Sequence, residues 1–135
     1  MNERKIIRVR DVMKSEFDMV EGMDTVETVL RNSKHPETKC FIVNIRHEDD
    51  EYGIVLLSDI AKQVLAKDKS PERINIYEIM TKPVISVDPD MDIRYCTRLF
   101  ENFGLSRAPV IDGKKVAGIV GYTDIVIHGV RDRLS

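Results

Sequence analysis

Cysteine is scarce in this 135-residue chain, and that narrows its chemistry first. Cys40 and Cys96 stand in apolar surroundings without CxxC spacing, which reads as two buried free thiols; a disulfide or a metal site lacks supporting residues. His35, His47 and His128 are dispersed and read as exposed side chains, not as metal ligands. No apolar run approaches the roughly 20 residues that span a bilayer. The charged start at residues 1–5 is no signal peptide, so a cytoplasmic protein without a membrane role is expected. No basic block tracks a phosphate backbone, so nucleic acid is not an expected partner. The patterns GxxxxGK[ST] and HExxH are missing, as is a Ser or Cys nucleophile in a recognisable setting; an enzyme is not expected.

What is present is a soluble globular composition: 42% hydrophobic, 33% charged, formal net charge −2. The length suits one ordinary domain or two very small packed units. One phrase is written twice. Gly118-Ile119-Val120-Gly121-Tyr122-Thr123-Asp124-Ile125 repeats Gly53-Ile54-Val55-Leu56-Leu57-Ser58-Asp59-Ile60. Each starts with a glycine at an apolar strand and runs into a helix opened by a polar pair. Other pieces answer one another in order. Val12-Met13 precedes Ile79-Met80 by 80 − 13 = 67, and Val20 precedes Val87 by the same interval. Phe41-Ile42-Val43-Asn44 answers Pro109-Val110-Ile111-Asp112 at 68, while Gly53 and Asp59 answer Gly118 and Asp124 at 65. Indels confined to connections mark an internal repeat.

Each unit reads as β-α-β-β-α. Short strands are expected at 17–20 and 84–87. Asp24 or Thr25 caps the next helix in the first copy, with Val26, Val29 and Leu30 on one face. In the second copy Asp92 caps, Ile93, Cys96, Phe100 and Phe103 form the apolar stripe, and Gly104 ends the helix. A hairpin follows, through Asp112-Gly113-Lys114-Lys115 in the second copy and through the longer acidic stretch 46–51 in the first. That acidic stretch reads as a solvated tip, since its spacing matches no calcium loop. Helices are expected at 58–66 and 123–130, and 67–73, with Pro71, reads as a linker. Units this small need each other, so two stacked sheets sharing a core are expected.

These residues resemble the CBS (cystathionine-beta-synthase) domain: Val12-Met13, then strand and helix, Pro109-Val110-Ile111-Asp112-Gly113, Gly118-Ile119-Val120 and Thr123-Asp124-Ile125. The resemblance covers nearly the whole chain as a tandem pair. It implies an α/β fold of two β-α-β-β-α CBS repeats packed as one pseudo-twofold symmetric module: repeat 1 over 8–66, a linker over 67–75, repeat 2 over 76–130. It also implies a regulatory module with no catalytic residues and a homodimer formed through helices. The ligand it implies is an adenosine-containing one such as AMP, ADP, ATP or S-adenosylmethionine, held in clefts between the repeats. The alternative is a dimerisation or scaffolding domain that has lost its ligand.

Residue types suggest how such a site works. Asp59 and Asp124 fall at helix starts, and a carboxylate accepts from both hydroxyls of a ribose. Free N–H groups of a helix start favour phosphate. Val84, Ile85 and Ile119 can wall a flat base. The resemblance adds Thr81, Lys82, Pro83 and Val84, with Lys14 and its neighbours to Phe17 in the other copy, near the base. It places Arg107 within reach of phosphate and makes Lys39 its counterpart, unless both are plain surface charges. Ser58 and Thr123 read either as helix caps or as ligand contacts, and each acid suits the helix dipole on its own. Three residues before each acid, nucleotide-binding repeats usually carry Ser or Thr; here Leu56 and Gly121 stand there. Tyr122 can stack or hydrogen-bond. The second junction is expected to be the less occluded, so Asp124→Ala should matter more than Asp59→Ala. Ile60 with Val64, and Ile127 with Val130, are candidate self-association surfaces or core.

Overall fold

The computed structural model describes residues 5–135; the charged start at residues 1–4 lies outside them. The chain forms two compact units, one from residues 5–16 with Ile85–Ser135, the other from Phe17–Val84. The sequence repeats and the spatial units are therefore cut differently. Each repeat surrenders its lead-in to the unit built on the other repeat's hairpin.

In the unit 17–84, strand β1 (Met19–Val20) lies parallel to β2 (Cys40–Val43), which pairs antiparallel with β3 (Gly53–Leu56). Helix α1 (Val26–Arg31) starts at Thr25, whose hydroxyl accepts from the Thr28 N–H at 3.1 Å. That settles the choice between Asp24 and Thr25. Helix α2 (Leu57–Ile60) runs on through a π-helical turn, Ala61–Leu65. Val26, Val29, Phe41, Val43, Val55, Ile60, Val64 and Ile76 form the core. Of the two readings open for Ile60 and Val64, self-association surface or core, the structure shows core. Ile76 arrives from the stretch beyond the expected linker. Its N–H donates to Asp24 O at 2.8 Å, and Val26 N–H donates to Ile74 O at 2.8 Å.

The other unit repeats the plan. Helix α3 (Ile93–Phe103) is capped by Asp92, which accepts from the Arg94 N–H at 2.8 Å, and closes at Gly104 with φ 66°. Strands β4 (Arg107–Asp112) and β5 (Lys115–Gly121) form the hairpin, turning through Gly113 at φ 65°. Helix α4 covers Tyr122–Gly129. Val9 and Val12 of the lead-in join Val87, Ile93, Cys96, Phe100, Val110, Val120 and Ile125 in the core. Val9 N–H donates to Met91 O at 2.8 Å and Ile93 N–H to Ile7 O at 2.9 Å. These bonds match those of Ile76 and Val26. A unit of this size buries too little on its own repeat, and the borrowed lead-in supplies further apolar side chains.

Four expectations change. The strand expected at 84–87 reduces to a single parallel bridge, Val87 to Val110. In β2 the Ile42 N–H donates to Asp18 O at 3.0 Å. The equivalent position in β4 is Pro109, which has no N–H to offer, so the ladder cannot extend. The register also corrects the interval of 68. Val43 pairs Gly53 and Val110 pairs Gly118, so 110 − 43 = 67. Arg107 then answers Cys40, and Lys39 answers Ser106. Phe103, in the last turn of α3 at the margin of the stripe, is 62% exposed and not part of the core. In the acidic turn Asp50 is no solvated carboxylate. Lys82 Nζ lies 2.7 Å from it and the Arg46 N–H donates to it at 2.9 Å. These two contacts, the ammonium first, hold its carboxyl well below the usual carboxylate range.

Both cysteines are buried, Cys40 in β2 and Cys96 in α3. Burial pushes the Cys96 thiol up to about 11. The folded thiol keeps its proton where the unfolded one loses it. This stabilisation is complete below about pH 8.5, where the unfolded thiol titrates, and is lost as pH rises through the folded value. Urea midpoints should fall over that alkaline window in the wild type and stay flatter in Cys96→Ala. Equal pH dependence in the two would refute the assignment.

Candidate functional site

Both strand-to-helix junctions are built the same way. The helices start one residue earlier than Ser58 and Thr123 suggest: Leu56 and Gly121 are the flanking residues, and neither supplies a side-chain cap. The capping group is the acid in the first turn. Asp59 Oδ2 accepts from the Leu56 N–H at 2.8 Å, and Asp124 Oδ2 accepts from the Gly121 N–H at 2.9 Å. Each is the returning half of a capping box, which needs no hydroxyl at the flanking position. The reading of Ser58 and Thr123 as N-caps is corrected; both are exposed positions within the first turn.

A third strand-like edge completes each junction. Lys14 forms an antiparallel bridge to Ile119, and Thr81 forms one to Ile54. The backbone bonds are matched: Lys14 N–H to Ile119 O at 2.9 Å and Ile119 N–H to Lys14 O at 2.9 Å, against 2.9 and 3.0 Å for Thr81 and Ile54. The glycine at the head of each strand makes room. A Cβ on Gly118 would stand 2.3 Å from the Lys14 carbonyl oxygen.

The candidate residues therefore divide. Lys14, Arg107, Ile119, Gly121, Tyr122, Thr123 and Asp124 share one unit; Ser58, Asp59, Thr81, Pro83 and Val84 share the other. Sequence order grouped Thr81 and Val84 with Asp124, but within its own unit each acid meets the other repeat's lead-in. The bridge register carries this and adjacency along the chain does not show it.

The two acids differ in surroundings. Asp124 is 3% exposed, and Lys14 Nζ is ion-paired with its Oδ1. Both of its oxygens are committed, one to the backbone and one to the ammonium. Asp59 is half-buried, and beyond the Leu56 N–H its carboxylate has no partner among the described residues. The expectation that the second junction is the less occluded is reversed. The signal lay in the sequence, since Lys14 and Thr81 stand at the repeat interval of 67. Tyr122 packs edge-on against Phe100, ring centroids 5.3 Å apart at 84°. Arg107 is half-buried at the head of β4, with Nε donating to Ser106 Oγ at 3.3 Å. Ile119 is buried in β5; Thr81 and Pro83 are exposed and Val84 half-buried. Among the described residues no three His, Cys, Asp or Glu side chains gather as a metal site, and no helix is long and apolar enough to cross a membrane.

A family model for the CBS domain matches residues 76–130. An uncharacterized protein of Methanopyrus kandleri is 31% identical over 113 residues, 81% of this chain and 57% of its own length. The chain thus spans a little over half of that relative. The hexameric CBS-CP12 protein from bloom-forming cyanobacteria is 34% identical, with a TM-score of 0.88 over 93% of this chain and 72% of that one. The CBS domain pair of protein MJ0100, solved in complex with 5′-methylthioadenosine and S-adenosyl-L-methionine, shares the fold at 23% identity, with a TM-score of 0.76 over 96% of this chain and 100% of that one. With two matched junctions, a family model on the second repeat and a CBS protein a third identical over nearly the whole fold, this chain belongs to the CBS-domain family as a tandem pair.

Proposed function

We propose that the chain is a regulatory module, not a catalyst, that binds an adenosine-containing ligand of the AMP, ADP, ATP or S-adenosylmethionine class at a strand-to-helix junction. Asp59 carries the reading. One oxygen is fixed by the Leu56 N–H, so the carboxylate is oriented before any ligand arrives. It retains acceptor capacity for the paired hydroxyls of a ribose. Thr81 stands on the neighbouring edge through its bridge to Ile54, followed by Pro83 and Val84 as apolar wall. The adenosyl ligands of the MJ0100 pair support the same ligand class. The ligand acts by favouring the conformation it binds more tightly, which a partner protein senses. On this reading the setting is a cytoplasm that keeps Cys40 and Cys96 as thiols, and a homodimer forms through helices, where Val126 and Val130 of the α4 region stand exposed at 54% and 51%.

Thermal shift with the four ligands tests this. A ligand at 100 times its dissociation constant stabilises by about 2.7 kcal/mol. At least one of the four should raise Tm in the wild type, and Asp59→Ala should abolish the rise. If none of the four moves Tm, the proposal is wrong. The scaffold reading is favoured by Leu56 and Gly121, which put no hydroxyl three residues before either acid, and by the capping duty of both acids. It predicts an intact dimer with no shift.

A further inference from the structure

We infer that Lys14 is a built-in occupant of the second junction, so that each chain takes a ribose-bearing ligand at Asp59 and not at Asp124. The inference rests on the binding reading above and adds the number and place of the sites. Its basis is a comparison the molecule makes with itself. The Lys14 and Thr81 backbones hold the same register on the same strand position, bridging Ile119 and Ile54. Their hydrogen bonds agree to within 0.1 Å. Only the side chains differ. A threonine at this place leaves the Asp59 carboxylate to solvent. A lysine reaches Asp124 and pairs with it, the Lys14 side chain 30% exposed and the Asp124 side chain 4%.

A ribose would need the acceptor positions that the ammonium now fills. Displacing it leaves a shielded carboxylate to exchange a full charge partner for neutral hydroxyls. Breaking a partly buried pair of this kind weakens a competing ligand by about 100-fold or more. Lys14 also changes the local charge: Asp124 is paired with a cation, while among the described residues no cation pairs with the Asp59 carboxylate. Arg107 stands at the head of β4 beside the second junction, pairing across to Gly121. That junction is therefore the more positive of the two.

Isothermal titration of the intact protein with AMP and with S-adenosylmethionine tests the inference. The wild type should bind one equivalent per chain. Lys14→Thr, which copies the first junction, should bind two, the second within about 10-fold of the first once the ion pair is gone. Lys14→Met keeps the length of the side chain without its charge and should also open the second site, which covers the case that Lys14→Thr folds poorly. Lys14→Arg should remain at one. In wild-type protein, amide resonances should report the same asymmetry: ligand shifts Leu56 and leaves Gly121 unmoved. Two equivalents of similar affinity in the wild type, or one equivalent in a folded Lys14→Met, would overturn the inference while leaving nucleoside binding intact. Silence of every variant with both probes would overturn the binding reading and this inference with it.

Discussion

Replacing Phe100 with alanine is expected to cost about 3–5 kcal/mol of stability, the range for deleting a buried aromatic side chain. Phe100 is wholly shielded at 0% exposure. It sits in the middle of α3, where its ring meets Tyr122 at the start of α4. The loss combines the transfer of a large apolar group with the cavity left behind. The edge-on aromatic contact disappears as well. Domains of ordinary stability hold about 5–15 kcal/mol, so much of the total is at stake. The control is three residues away. Phe103 is 62% exposed, and Phe103→Ala should stay within about 0.5 kcal/mol. Urea unfolding of both variants decides the matter. Equal losses would mean that α3 packs through a different face from the one described.

Gly118→Ala should cost nearly as much, about 3 kcal/mol, for a reason that concerns the site. The new Cβ would lie 2.3 Å from the Lys14 carbonyl oxygen and 3.0 Å from Met13 Sδ. The first of these atoms is backbone and cannot turn aside. Relief requires the lead-in to leave the edge of β5, breaking the two bonds between Lys14 and Ile119. Val9 and Val12 then lose part of their place in the core. Gly53→Ala in the other copy meets its neighbours at 3.2–3.3 Å and should cost about 1 kcal/mol. Hydrogen exchange at the Ile119 amide, measured beside the urea curves, separates local detachment from global loss. Unchanged protection of that amide in Gly118→Ala would contradict the close approach.

The parts legible in the sequence were those that local chemistry sets. Asp92 and Gly104 bound α3 because a carboxylate serves free N–H groups and a glycine takes positive φ without strain. The hairpin through Gly113 follows from the same backbone freedom. The duplicated phrase located both junctions, and the resemblance to CBS pairs named the family.

Other features depended on pairing across the chain. An interval of 68 looked sound for the fourth strand, because apolar residues alternate little there and a slip of one costs nothing in pattern. Hydrogen bonding fixed it at 67, and moved the counterpart of Arg107 from Lys39 to Cys40. Ser58 and Thr123 have the composition of caps, yet a carboxylate one residue further on reached back and did that work.

From its own residues the chain determined that it would be two copies of one α/β unit, each with an acid at a helix start. Periodicity, capping and turn chemistry are local, and they survive in a string of letters. Only the tertiary structure decided which lead-in meets which hairpin, and so which acid is met by a lysine and which by a threonine. An ion pair between residues 110 positions apart depends on strand register, and no local preference records that.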